Sequence, residues 1–145
     1  MEKKMNNKGF SLVELIIVIA IMVVLGVVVA LALTKYPEQA RNATDVQNAT
    51  SICTALQIYA VDPDATTTPA ATGTVNVGSN TSGDAFANAA LANAGFPTTT
   101  KCESTSTWTA YSITYNYTGG VMTFTYGQTG GTAGAFSAKM TGATE

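Results

Sequence analysis

The sequence predicts an α+β fold: a long N-terminal helix, its first half suited to spanning a membrane, followed by a three- to four-stranded antiparallel sheet. Three patterns predict it. Leu15 to Leu33 are nineteen consecutive residues without a charge, nearly all apolar. Apolar or small residues then recur at spacings of three and four as far as Ala60, which is the helical period. Beyond Thr109 large and polar residues alternate, which is the period of a strand. The 145 residues suit one domain plus an anchor.

The apolar run comes first. As a helix it covers about 28 Å at 1.5 Å per residue, enough to cross a bilayer. Lys3, Lys4 and Lys8 precede it, and Lys35 and Arg41 follow. The denser N-terminal cluster favours an internal N-terminus and an external C-terminal domain. Gly26 is a soft point inside the span, and Pro37 is expected to kink or break the helix just beyond it. The helical pattern continues through Ala40, Ala43, Val46, Ala49, Ile52, Cys53, Leu56, Tyr59 and Ala60. Glu38, Arg41, Asn42, Asp45, Gln47 and Asn48 are expected on the opposite face, and the apolar face either packs on a sheet or belongs to an independent surface helix. Asp62-Pro63-Asp64 ends the pattern, because proline disfavours helix at the residue before it.

Residues 65–83 are rich in Thr, Ala, Gly and Ser and read as a loop with one short strand at Thr74-Val75-Asn76-Val77. Asp84 caps a short helix running to about Ala94, with Gly95 at its end and Pro97 after it. Thr109, Tyr111, Ile113, Tyr115 and Tyr117 share one face of a strand. Gly119-Gly120 makes a tight turn, and Met122, Phe124 and Tyr126 share a face of the next strand. After a looser connection at Gly130-Gly131 and Gly134, Phe136, Ala138 and Met140 fit a face of a further strand. The aromatic row is expected to be core and cross-strand packing.

Composition narrows the chemistry. There is no histidine, and the only cysteines are Cys53 and Cys102. An even pair in an exported domain reads as a disulfide, the alternative being two buried free thiols. A zinc site needs about four ligands, and a catalytic cysteine would have no histidine to activate it. No phosphate loop, paired acid/base constellation or Ser–His–Asp set is visible, so no catalytic residue, metal or cofactor is expected. Asp62 and Asp64 flank a proline, and a solvated turn accounts for them better than a calcium loop. The triplets at Asn42, Asn48, Asn80 and Asn116 match the glycosylation pattern, but a chain this rich in Thr and Ser produces them by chance.

The amino terminus carries the sharpest signal. Lys8-Gly9-Phe10-Ser11-Leu12-Val13-Glu14 leads straight into the apolar run, with one carboxylate near its start. A charge at membrane depth is expensive and usually functional. An ordinary secretory signal, with cleavage at Ala30-Leu31-Ala32, would need a shorter apolar core and gives Glu14 no purpose. A plain membrane anchor also leaves Glu14 unexplained. The segment resembles the prepilin signal of type IV pilins and the pseudopilins of type II secretion, closely over about Lys3 to Leu33 and in outline beyond. The chain has Leu31 where many pilins carry a proline.

The resemblance implies a chain built as a leader at 1–9, a transmembrane and polymerisation helix at 10–34, and a head at 35–145. It implies that prepilin peptidase cuts between Gly9 and Phe10, and that the new terminal Phe10 is N-methylated. Gly9 offers that enzyme an unobstructed backbone. It further implies that Glu14 pairs with the Phe10 amine during assembly, within one subunit or with its neighbour. An unpaired carboxylate buried among bundled helices would cost several kcal/mol. The expected function is structural: a homopolymer held through the N-terminal helices, built at an inner-membrane assembly platform. The subunit would be a single-pass protein of the cytoplasmic membrane before assembly and part of an extracellular pilus after it, serving adhesion, motility or surface contact. The alternative is a pseudopilin or a competence filament subunit. Loss of residues 1–9 removes three of seven basic residues and one of nine acidic ones, leaving four against eight, a net charge of about −4. Nucleic acid is therefore not an expected partner.

Overall fold

A computed structural model describes residues 9–33, 35–78, 83–97 and 100–142. The leader lysines Lys3, Lys4 and Lys8 and the triplet at Asn80 lie outside these residues. The elements are α1 (Leu12–Leu33), α2 (Tyr36–Ala60), β1 (Thr72–Val77), α3 (Ala85–Asn93), β2 (Ala110–Thr118), β3 (Val121–Thr129) and α4 (Ala135–Thr141), the expected α+β arrangement. The chain divides into two compact units, Met1–Pro37 and Glu38–Glu145.

The first unit is dominated by α1. None of its 22 residues is buried, and beyond Glu14 in the first turn its side chains are apolar on every side. The helix is long and apolar enough to cross a membrane. Lys35 lies in a turn and α2 starts at Tyr36, so the expected discontinuity at Pro37 falls within the first turn of α2. A proline there removes an N–H that has no intrahelical partner anyway.

The second unit is a three-stranded antiparallel sheet, ordered β1-β2-β3, with helices over one face. Tyr111 pairs with Gln128, Ile113 with Tyr126, and Tyr115 with Phe124, while Val75 sits opposite Ile113. These residues point to one face, and the core lies there. Val75, Val77, Tyr111, Ile113 and Tyr115 pack with Ala49, Ile52, Leu56 and Tyr59 of α2 and with Phe86, Ala87 and Ala90 of α3. Phe86 bridges the helices and the sheet, its ring 5.6 Å from those of Tyr59 and Tyr115. The β2–β3 turn is Gly119-Gly120, with φ of 59° and 84°, the left-handed pair that a two-residue hairpin turn requires. Asp84 caps α3 as expected, accepting from the Phe86 amide at 3.0 Å. It also accepts from the Tyr115 hydroxyl, which ties the cap to β2. Gly73 leaves room for that contact: a Cβ there would overlap both Asp84 and the Tyr115 ring.

Two expectations need correction. Phe136, Ala138 and Met140 do not form a strand; they lie in α4. Phe136 and Met140 are also four apart, a helical spacing, and local context decides for the helix. Gly134 and Gly142 bracket it in left-handed conformation. The Gln128 side chain accepts from the Phe136 amide at 2.6 Å, satisfying one free donor of the first turn. Phe136 is fully buried and stacks on Tyr111 at 4.3 Å. The third strand is the expected short one before α3, running Thr72–Val77. The second correction concerns the faces of α2. Ala40 and Ala43 are exposed, whereas Asn42 and Asp45 are buried. The inward stripe runs Glu38, Asn42, Asp45, Ala49, Ile52, Leu56, Tyr59, alternating steps of four and three.

Candidate functional site

Gly9, Phe10 and Ser11 are exposed and precede α1 without helical structure. Among the described residues nothing lies within 4 Å of where a Cβ on Gly9 would be. The Ser11 amide donates to Glu14 Oε2 at 2.9 Å. Ser11 takes the N-cap position of α1, and a glutamate three residues on reaches back to the cap amide, as in one half of a capping box. The carboxylate also sits at the positive end of the helix dipole. In the uncut chain the Phe10 nitrogen is an amide, and Glu14 is partnered by Ser11. A Phe10 amine would exist only if the Gly9–Phe10 bond were cut.

The head holds a second, unforeseen construction. Two carboxylates of α2 grip the segment 103–108. Glu38 Oε1 accepts from the Ser104 hydroxyl at 2.6 Å and from the amides of Ser106 at 2.9 Å and Thr107 at 3.1 Å. The Thr105 amide and hydroxyl each lie 3.1 Å from a Glu38 oxygen, and the Thr107 hydroxyl donates at 3.3 Å. Successive amides turned toward one anion form a nest. The Ser104 hydrogen bond, aided by the amides of Ser106, Thr107 and Thr105 and opposed by desolvation, holds the Glu38 carboxyl well below the usual carboxylate range. Arg41 lies 3.7 Å from Glu38 but is half exposed, so the ion pair adds little.

Asp45 is fully buried. It accepts from the Glu103 amide at 2.8 Å, the Ser104 amide at 2.9 Å and the Trp108 indole at 2.8 Å. A buried charge is tolerated when its lone pairs are filled in this way. Asn42 lies between the two carboxylates and donates to the Thr107 hydroxyl at 2.8 Å. Trp108 is itself fully buried, edge-on to Phe136 at 5.2 Å. The signal for this clasp was present in the sequence: Glu38, Asn42 and Asp45 continue the spacing of the apolar stripe, and a Ser-Thr-Ser-Thr run precedes the single tryptophan.

The expected Cys53–Cys102 bridge is not formed; both cysteines are free thiols. Each has its own partner. Cys102 Sγ donates to Asp45 at 3.4 Å, and Cys53 Sγ is 3.8 Å from the Tyr126 hydroxyl. Burial, reinforced by the Asp45 charge, pushes the Cys102 thiol up to about 12. Burial also raises Cys53. Both are therefore held protonated and poorly nucleophilic.

Asp62 Oδ1 accepts from the Asp64 amide at 2.9 Å, a local turn. Among the described residues no group of three or more Cys, Asp or Glu converges as a metal site would require. An open groove of about 320 Å³, lined by Gln47, Thr50, Thr54, Ile58 and Phe96 among others, contains no titratable side chain.

Comparison with known proteins singles out the N-terminal unit. Neither the curated proteins nor the solved structures contain a significant match to the chain. Residues 4–33 match the family model described as the prokaryotic N-terminal methylation motif. With an apolar helix long enough to span a bilayer, that motif fits a membrane-anchored precursor. Residues 4–33 therefore carry the signature of type IV pilins and pseudopilins.

Proposed function

We propose that the chain is a type IV pilin: a structural subunit cut by prepilin peptidase between Gly9 and Phe10, N-methylated on Phe10, and polymerised through its N-terminal helices into an extracellular filament. One observation carries the proposal. The methylation motif opens directly into α1, a helix with no buried residue. So much uncovered apolar surface needs lipid before assembly and other copies of itself afterwards. In the bundle Glu14 exchanges the Ser11 amide for the Phe10 amine as its main partner. The work of adhesion, motility or surface contact belongs to the polymer, and the head supplies its outer surface rather than a catalytic site.

The test compares wild type with Glu14→Gln and Glu14→Leu, measuring processed subunit in membranes against subunit in sheared surface filaments. Both variants should insert and be cut, because the apolar span and Gly9 are untouched, and both should accumulate in the membrane with little or no filament. Intact mass should place Phe10 at the terminus with one added methyl group. Normal assembly of both variants sinks the charge-pair mechanism. A mature chain beginning at Leu33 sinks the pilin proposal altogether. Subunit confined to short periplasmic filaments transfers it to the pseudopilins.

A further inference from the structure

The inward stripe of α2 changes chemistry halfway. From Ala49 to Tyr59 it is apolar and belongs to the core. Before Ala49 the contacts that hold α2 down are mainly polar, with Val46 alone among the described apolar residues of that stretch half-buried against the core. Glu38 is half-buried, Asn42 buried and Asp45 fully buried, so solvent access falls steadily along the helix. On the facing side, the amides of Thr105, Ser106 and Thr107 donate to Glu38, and those of Glu103 and Ser104 to Asp45. Ser104 and Trp108 remain anchored from below: the Trp108 amide donates to the Ser104 hydroxyl at 3.2 Å, and the indole packs on Phe136.

Hydrogen bonds and apolar burial respond differently to opening. A carboxylate and the amides it leaves each find water, so a polar contact is exchanged at small net cost. Apolar surface finds no such replacement. A helix held by polar groups at one end and apolar groups at the other should therefore open from the polar end, in steps smaller than global unfolding.

We propose that Glu38, Asn42 and Asp45 form a releasable clasp, from which the Glu38–Asp45 segment of α2 detaches while the Ala49–Tyr59 stripe stays packed. The clasp opens in order, Glu38 and Asn42 before Asp45, because that order follows solvent access and because Asp45 also holds the buried Trp108 indole. A load entering the head at Pro37 meets the clasp first, and the core yields only after it. The proposal does not depend on the chain forming a filament.

Amide hydrogen exchange of the full chain in detergent micelles tests it. The reporters are the amides of Thr105, Ser106 and Thr107, which are released when Glu38 lets go whether or not the freed turns stay helical. In wild type they should exchange at least about tenfold faster than the amides of Tyr111, Ile113 and Tyr115 in β2, as local opening predicts. Glu38→Gln should speed the three reporters by roughly another tenfold, the effect of weakening one charge-assisted hydrogen-bond set. β2 and Ile52–Tyr59 should speed by no more than the variant's loss of global stability, and the reporters should stay ahead of them. Asn42→Ala, which removes only the link to Thr107, should act in the same direction but more weakly. Reporters that exchange in Glu38→Gln no faster than β2 would mean that the head opens only as a whole, which overturns the proposal. Wild-type reporters as protected as β2 overturn it as well.

Discussion

α1 and α2 are helices of similar length that invert the usual rule of burial. α1 spans 22 residues, is apolar after Glu14 in its first turn and has every side chain exposed. α2 spans 25 residues, is polar over its first half and buries an aspartate completely. Polarity does not decide which side chains lie inside; the supply of partners does. Asp45 is buried because two amides and an indole converge on it. α1 is bare because nothing in the described chain covers it, and a uniformly apolar helix has no polar face to turn to water. One helix is covered within its own chain, and the other leaves its apolar surface uncovered by any described residue.

The comparison can be broken from either side, and the largest effect is expected at Asp45. Asp45→Ala strands the Trp108 indole and the amides of Glu103 and Ser104 without their acceptor. Each buried orphan costs about 1–3 kcal/mol, so a loss of about 3–5 kcal/mol is expected. Denaturant unfolding followed by the fluorescence of Trp108, the only tryptophan, measures it. A loss below about 1 kcal/mol would mean that water replaces the carboxylate freely and that the site is not dry.

Val24→Asp makes the converse change in α1. A carboxylate at the middle of a membrane span costs about 2.5–3.5 kcal/mol on insertion. Fractionation should find the variant shifted out of the membrane pool, while unfolding of the head is unchanged. Unaltered membrane retention would mean that α1 does not lie in lipid.

A smaller effect, with a distinctive pH dependence, is expected from Glu38→Gln. The wild-type carboxylate is charged in the fold and held well below its ordinary range. Its contribution is complete above the unfolded value near pH 4.3 and is lost as pH falls from there toward the lower folded-state value. The variant should therefore be less stable than wild type by about 1–2 kcal/mol at neutral pH, with the gap narrowing below about pH 4. A gap that stays constant down to pH 3 would assign the effect to packing rather than charge.

Several features were legible in the sequence because each rests on groups close together in the chain. Nineteen uncharged residues make α1 a helix in any apolar medium. Gly119 and Gly120 specify the hairpin, because only that pair adopts its two positive φ values without strain. Asp84 caps α3 through an amide two residues away. The leader and Glu14 likewise form one short contiguous stretch, matched over residues 4–33.

What was not legible depends on groups brought together from afar. Phe136-Ser137-Ala138-Lys139-Met140 alternates like a strand, yet it is a helix because Gln128 caps its start and Phe136 finds Tyr111 and Trp108. The two cysteines invite pairing in sequence, yet each is a free thiol that burial keeps protonated, Cys53 beside Tyr126 and Cys102 beside Asp45. On α2 the periodicity of the buried stripe was readable, but its polar half looks like a solvated face until the Ser104–Thr107 segment arrives more than sixty residues later. Local chemistry sets where a helix starts, turns and ends. Whether a carboxylate on that helix meets water or a nest of amides is settled only when the tertiary structure delivers the donors, because a charge can be buried only where its hydrogen bonds are already waiting.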